Sequence, residues 1–146
     1  MYCNMKPIAK AVIRGSGDYP EIEGEALFYQ LKRSVLVSVR VSSLPQNNSG
    51  FHGFHIHEGK ICTGENFPNT GGHYNPADAP HPSHAGDLPP LLSCGGEAFM
   101  QVKTNRFRVR DIIGRTVIIH SNADDFFTQP SGNAGDKIAC GVVKRV

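Results

Sequence analysis

Ser34-Val35-Leu36-Val37-Ser38-Val39-Arg40-Val41 sets a valine at every second position and alternates it with Ser34, Leu36, Ser38 and Arg40. Successive side chains of an extended chain point to opposite faces, so this period of two describes a half-buried strand. Working outward, Ile8 to Arg14, Gly24 to Leu31, Gly96 to Thr104, Thr116 to His120 and Ile138 to Val143 read as further strands, each bounded by Gly, Pro, Asn, Asp or Ser. Helical periodicity is nowhere sustained. Sixteen glycines and ten prolines supply turns. Many short strands between turn signals predict an all-β sandwich or barrel rather than alternating strands and helices. Neither an internal repeat nor a domain boundary is visible. The chain of 146 residues is expected to form a single domain, residues 1–146. A chain of that size buries about two-thirds of its unfolded surface.

The formal charge of +2 is too small on its own to mark a nucleic-acid or membrane footprint, and no basic run with interleaved aromatics occurs. No apolar run approaches the roughly 20 residues of a membrane-spanning helix. Met1-Tyr2-Cys3-Asn4-Met5-Lys6 leads into the first strand without the apolar stretch of a secretory signal, so a cytoplasmic location is the expectation unless a leader has been removed.

Six of the seven histidines fall into one pattern. In Gly53-Phe54-His55-Ile56-His57, the two histidines are two residues apart and can aim at one ion while Ile56 packs into the opposite face. His73, His81, His84 and Asp87 follow in a Pro- and Gly-rich segment, where a loop can fold its donors around a second ion, and His120 stands alone at the end of a strand. Imidazole suits copper and zinc, and one carboxylate among histidines is compatible with tetrahedral zinc.

Taken in order, these segments resemble the copper,zinc superoxide dismutases. Gly53-Phe54-His55-Ile56-His57-Glu58 is similar to the family's first copper-ligand strand, and Gly72-His73-Tyr74-Asn75-Pro76 to the segment carrying the histidine that bridges the two metals. His84-Ala85-Gly86-Asp87-Leu88, Ile113-Gly114-Arg115-Thr116-Val117-Ile118-Ile119-His120 and the C-terminal Gly132-Asn133-Ala134-Gly135-Asp136-Lys137-Ile138-Ala139-Cys140-Gly141-Val142-Val143 extend the resemblance from about Lys6 to the end. It implies a flattened eight-stranded Greek-key barrel, an immunoglobulin-like sandwich, with two long loops forming the metal site. Those loops would be His57 to about Leu92 and Ser121 to Gly135.

The resemblance also implies roles. His55, His57, His73 and His120 would hold copper; His73, His81, His84 and Asp87 would hold zinc, with a deprotonated His73 shared between the ions. Copper(II) would oxidise one superoxide to oxygen, and copper(I) would reduce a second to hydrogen peroxide with two protons. Asp124 would hydrogen-bond His55 and His81, orienting both rings; the other reading is that Asp124 and Asp125 only start a turn. Cys62 and Cys140 match the family's disulfide, whereas Cys3 and Cys94 have no assigned role. His52 matches a structural histidine that hydrogen-bonds backbone. Superoxide is the expected substrate, a homodimer is left open, and neither nucleic acid nor membrane is an expected partner. The alternative is a metal-binding paralogue without activity on the same fold.

Three departures stand out against the family pattern. Lys137 occupies the place of an arginine beside the copper, keeping the charge that attracts a small anion but not the planar fork of donors. Residues 121–136 contain three aspartates and no basic residue, so this short loop should steer superoxide poorly. Only Pro82 and Ser83 separate His81 from His84, a short spacing that leaves zinc geometry less defined than copper geometry. Phe126 and Phe127 are expected to pack onto the barrel rather than form a contact surface.

Overall fold

The computed structural model describes residues 4–146. Its strands are β1 (Ala9–Gly15), β2 (Glu23–Gln30), β3 (Val35–Ser42), β4 (Phe51–His52), β5 (Phe54–His57), β6 (Leu91–Leu92), β7 (Ala98–Thr104), β8 (Thr116–His120) and β9 (Lys137–Arg145). Seven of them form one curled antiparallel sheet in the order β5-β8-β9-β1-β2-β3-β7, a half-barrel, and β4 pairs with β6. Only Gly53 separates β4 from β5, so counted as one interrupted strand they give the eight expected. A Cβ on Gly53 would lie 2.9 Å from Ala134 Cβ and 3.2 Å from His55 Cε1, closer than side chains tolerate. The all-β expectation holds. The predicted strands are found within two residues at each end.

The period-two reading of β3 places Val35, Val37, Val39 and Val41 in the core and leaves Arg40 exposed. Leu36 is also buried, at 7% exposure, because its register partners on either side are Tyr29 and Lys103, whose long side chains flank it. Ile13, Phe28, Phe54, Ile56, Val117, Ile119 and Ile138 complete the interior. Burial of side chains of this size is worth about 1.5–3 kcal/mol each. Two short helical pieces escape sequence reading: a 3₁₀ turn at Pro68–Thr70 and α1 at Val109–Ile112. Four residues carry too little periodicity to register.

Cys62 is joined to Cys140 of β9 across a sequence separation of 78, and both pack with Phe67 and Ile118 in a small apolar cluster beside the main core. Cys94 is an exposed free thiol, whereas Cys3 lies outside the described residues. Phe126 and Phe127 do not pack onto the barrel as expected: they are 50% and 74% exposed. The Asp125 carboxylate accepts the amides of Phe127 and Thr128, and Asp124 accepts that of Phe126, which holds the tip of the loop in a tight turn that projects both rings outward. No helix among the described residues is long and apolar enough to cross a membrane.

Candidate metal centre

All four residues of β5 are buried, but for two different reasons. Phe54 and Ile56 enter the barrel core, while His55 and His57 face the other way and are covered by the loops. The first loop is laid along the free edge of β5 as irregular strand pairing: Tyr74 donates to the Ile56 carbonyl at 2.8 Å, Ile56 to that of Gly86 at 2.9 Å, and Glu58 to that of Gly72 at 2.9 Å. This pairing sets His73 opposite His57 and Asp87 opposite His55. On the other edge β8 brings His120, whose register partner across a bulge is Lys137.

One nitrogen of each imidazole is committed to the protein. His55 Nε2 donates to Asp124 Oδ2 at 2.7 Å, His57 Nδ1 to the Gly71 carbonyl at 2.8 Å, His73 Nδ1 to Asp87 Oδ1 at 2.7 Å, and His120 Nδ1 to the Gly135 carbonyl at 3.2 Å. The remaining nitrogens converge. His57 Nε2 and His120 Nε2 lie 3.4 Å apart, and His55 Nδ1 and His73 Nε2 are buried without any hydrogen-bond partner. Such orphaned buried groups cost about 1–3 kcal/mol each, so a fold that holds several together has a use for them. The four histidines offer ligand atoms within 4.8 Å of one another, and His73, His81, His84 and Asp87 do the same.

In the second group His84 Nδ1 lies 3.2 Å from His73 Nδ1 and 3.2 Å from Asp87 Oδ2. His81 Nδ1 stands 3.1 Å from Asp87 Oδ2 in an orientation that makes no hydrogen bond. Three imidazoles and one carboxylate are the donor set of a tetrahedral zinc site. His73 belongs to both groups: its Nδ1 lies beside Asp87 and His84, and its Nε2 is left without a partner. Donor chemistry and orphaned nitrogens therefore fit a copper and a zinc ion sharing His73.

Asp124 bridges the two groups, accepting from His55 Nε2 and, through Oδ1 at 2.8 Å, from His81 Nε2. Asp124 also shares the turn with Asp125, accepting the Phe126 amide at 2.8 Å, so both readings of this aspartate hold at once. A Cβ on Gly132, whose φ is +73°, would sit 2.0 Å from Asp124 Oδ1 and 2.6 Å from His81 Nε2, so only glycine leaves room for this link. His52 Nδ1 donates to the His120 carbonyl at 2.9 Å, the backbone contact expected of it.

Two anchors were invisible in the sequence. The Gln129 side chain accepts from His81 N at 2.9 Å and donates to His81 O at 2.7 Å, clamping the second loop to the first. Arg106 Nη1 donates to the carbonyls of Pro82 at 2.7 Å and His84 at 3.2 Å, holding the short turn between two histidines of the second group. Neither residue has a spacing that marks it. Only an amide or guanidinium close in space, not in sequence, could have revealed them.

Burial holds the His55 and His57 pKa values below the usual imidazole range and pushes His120 down to about 3, with neighbouring positive rings adding to the effect. These rings are thus neutral at pH 7, the form in which an imidazole can bind a metal. Burial alone would raise Asp87 and Asp124, but hydrogen bonds from His73, and from His55 and His81, outweigh it and keep both carboxylates ionised. Lys137, its pKa lowered by burial, donates from Nζ to Thr70 Oγ1 at 2.8 Å and to the Gly71 carbonyl at 3.2 Å. That carbonyl also receives His57 Nδ1, so the cation and a ring of the first group share one acceptor.

A curled β-barrel whose loops fold two abutting groups of histidine and carboxylate donors onto one wall defines a dinuclear metalloprotein. The family model for copper/zinc superoxide dismutase matches residues 22–143. The chain is 34% identical to a superoxide dismutase [Cu-Zn] of Deinococcus radiodurans, over 86% of this chain and 79% of that one. It is also 34% identical to one of Legionella pneumophila, over 92% and 85%. A copper chaperone for superoxide dismutase from Mus musculus is 30% identical over 94% of this chain and 53% of its own length. The chain belongs to the copper/zinc superoxide dismutase family, whose cofactors are copper and zinc.

Proposed function

We propose that this chain dismutes superoxide, with His55, His57, His73 and His120 holding copper and His73, His81, His84 and Asp87 holding zinc. The observation that carries the reading is the convergence in the first group of His55 Nδ1 and His73 Nε2, both buried without a partner, with His57 Nε2 and His120 Nε2. Copper supplies a one-electron redox couple when bound, and zinc a fixed charge that orders the loop. Asp124, Gly71 and Gly135 hold the tautomers of His55, His57 and His120 so that each presents its free nitrogen inward. His73 links the two groups, and Lys137 offers the positive charge next to His120 that draws a small anion. Similarity to a copper chaperone favours a second reading, a copper- and zinc-binding paralogue without turnover. Stopped-flow decay of superoxide with the metal-loaded protein separates the two: no acceleration beyond free copper would sink the dismutase reading.

Lys137→Ala is expected to lower kcat/KM roughly tenfold at low salt and less at high salt, since electrostatic guidance of this kind is worth tenfold or more and is screened by ions. Lys137→Arg should restore or improve the rate. An alanine variant as fast as wild type at both ionic strengths would show that anion capture lies elsewhere. Arg106→Ala should weaken zinc binding roughly 10–100-fold in chelator competition, the range typical of residues that position a ligand, with Arg106→Lys partly restoring it. Unchanged zinc affinity would reduce the two carbonyl contacts to surface decoration.

A further inference from the structure

The net charge of +2 conceals a segregation that only the fold produces. Register pairs Ala9 with Phe28 and Arg145, and Val35 with Gln30 and Thr104, so the starts of β1 and β3 and the ends of β2, β7 and β9 lie at one end of the barrel. The segment after β7 is drawn across that end: the Val109 amide donates to Gln30 Oε1 at 2.9 Å, and Gly114 and Arg115 pair with Val143, each at 2.8 Å. Gln30 Nε2 meanwhile donates to the carbonyls of Leu31 and Ser34, fixing the β2–β3 turn. Lys10, Lys32, Arg33, Arg108, Arg110, Lys144 and Arg145 are therefore gathered together, and all are exposed.

Asp111 is the sole carboxylate side chain on the crossing segment, and its 3.8 Å approach to Arg110 is the one Lys or Arg ion pair among the described residues. Lys10 and Lys144 stand directly opposite each other on β1 and β9, an arrangement of like charges that destabilises a sheet. Met5 and Ile8, on the approach to β1, add exposed apolar side chains beside Lys6 and Lys10. None of these residues belongs to either metal group.

We propose that this basic end docks on the surface of an anionic phospholipid bilayer. Its charges come from four chain segments and spread in two dimensions over a barrel end, which matches a plane of headgroups better than a groove-bound strand. The aromatic ring of the crossing segment, Phe107, is buried and unable to stack on a base. Each lysine or arginine near such a surface contributes about fivefold in partitioning, so several together suffice for reversible attachment.

The metal-loaded protein should sediment with mixed phosphatidylcholine and phosphatidylglycerol vesicles at low salt, release at high salt, and ignore pure phosphatidylcholine. Arg33→Glu with Arg110→Glu should lower the partition coefficient at least about tenfold, with far-UV circular dichroism and superoxide turnover unchanged. Arg14→Glu with Arg40→Glu, the same charge change on other parts of β1 and β3, should matter far less. Absence of binding to the anionic vesicles, or equal losses in the two variants, overturns the proposal. Tighter binding to heparin or duplex DNA than to vesicles at the same salt also overturns it, assigning this end to a linear polyanion.

Discussion

Replacing His120 with alanine is expected to abolish superoxide turnover while zinc stays bound. His120 contributes to the group proposed for copper and not to the group of His73, His81, His84 and Asp87, so the two metals should respond separately. The backbone contacts of this position, His120 N to the Gly53 carbonyl and the His120 carbonyl to His52 Nδ1, do not need the ring and survive the change. Loss of a residue that orients a ligand costs roughly 10–100-fold in metal affinity or activity, and Asp124→Asn should fall in that range; loss of the ligand itself should exceed it. Metal content by mass spectrometry, paired with stopped-flow decay of superoxide, gives both readouts. A His120→Ala protein that lost zinc yet kept copper and activity would reverse the assignment of the two groups.

Opening the Cys62–Cys140 bridge should produce the largest loss of stability. In the chain-entropy model a loop of 78 residues restricts the unfolded state by about 4.5 kcal/mol. For a domain of this size that corresponds to a fall in melting temperature of about 10–20 °C. The bond also ties the first loop to β9, so its loss frees the segment that carries Thr70 and Gly71 against Lys137 and His57. Calorimetry on the metal-loaded protein, before and after reduction, measures the effect; alkylating the exposed Cys94 thiol is the control and should shift the melt little. Equal shifts from the two treatments would mean the bridge adds no restriction of its own.

The sequence by itself determined what depends on local geometry. Valines two apart declared β3, and His55 and His57 two apart declared a pair of rings on one face, because the strand period is fixed by backbone sterics. The order of the segments around His73, Asp87 and His120 was legible for the same reason, each being a short run that needs no partner to be read. Tertiary structure decided what depends on residues far apart in the chain. Gln129 grips His81 from 48 positions away and Arg106 grips Pro82 from 24, contacts that no spacing announces. Phe126 and Phe127 point outward because Asp124 and Asp125 cap their turn, an effect of side-chain hydrogen bonds on a few amides that hydrophobicity alone misjudged. The tautomers of the histidines were likewise settled by carbonyls and carboxylates that only the fold supplies. A net charge of +2 gave no sign of a basic end, since strand register, not composition, sets which charges become neighbours.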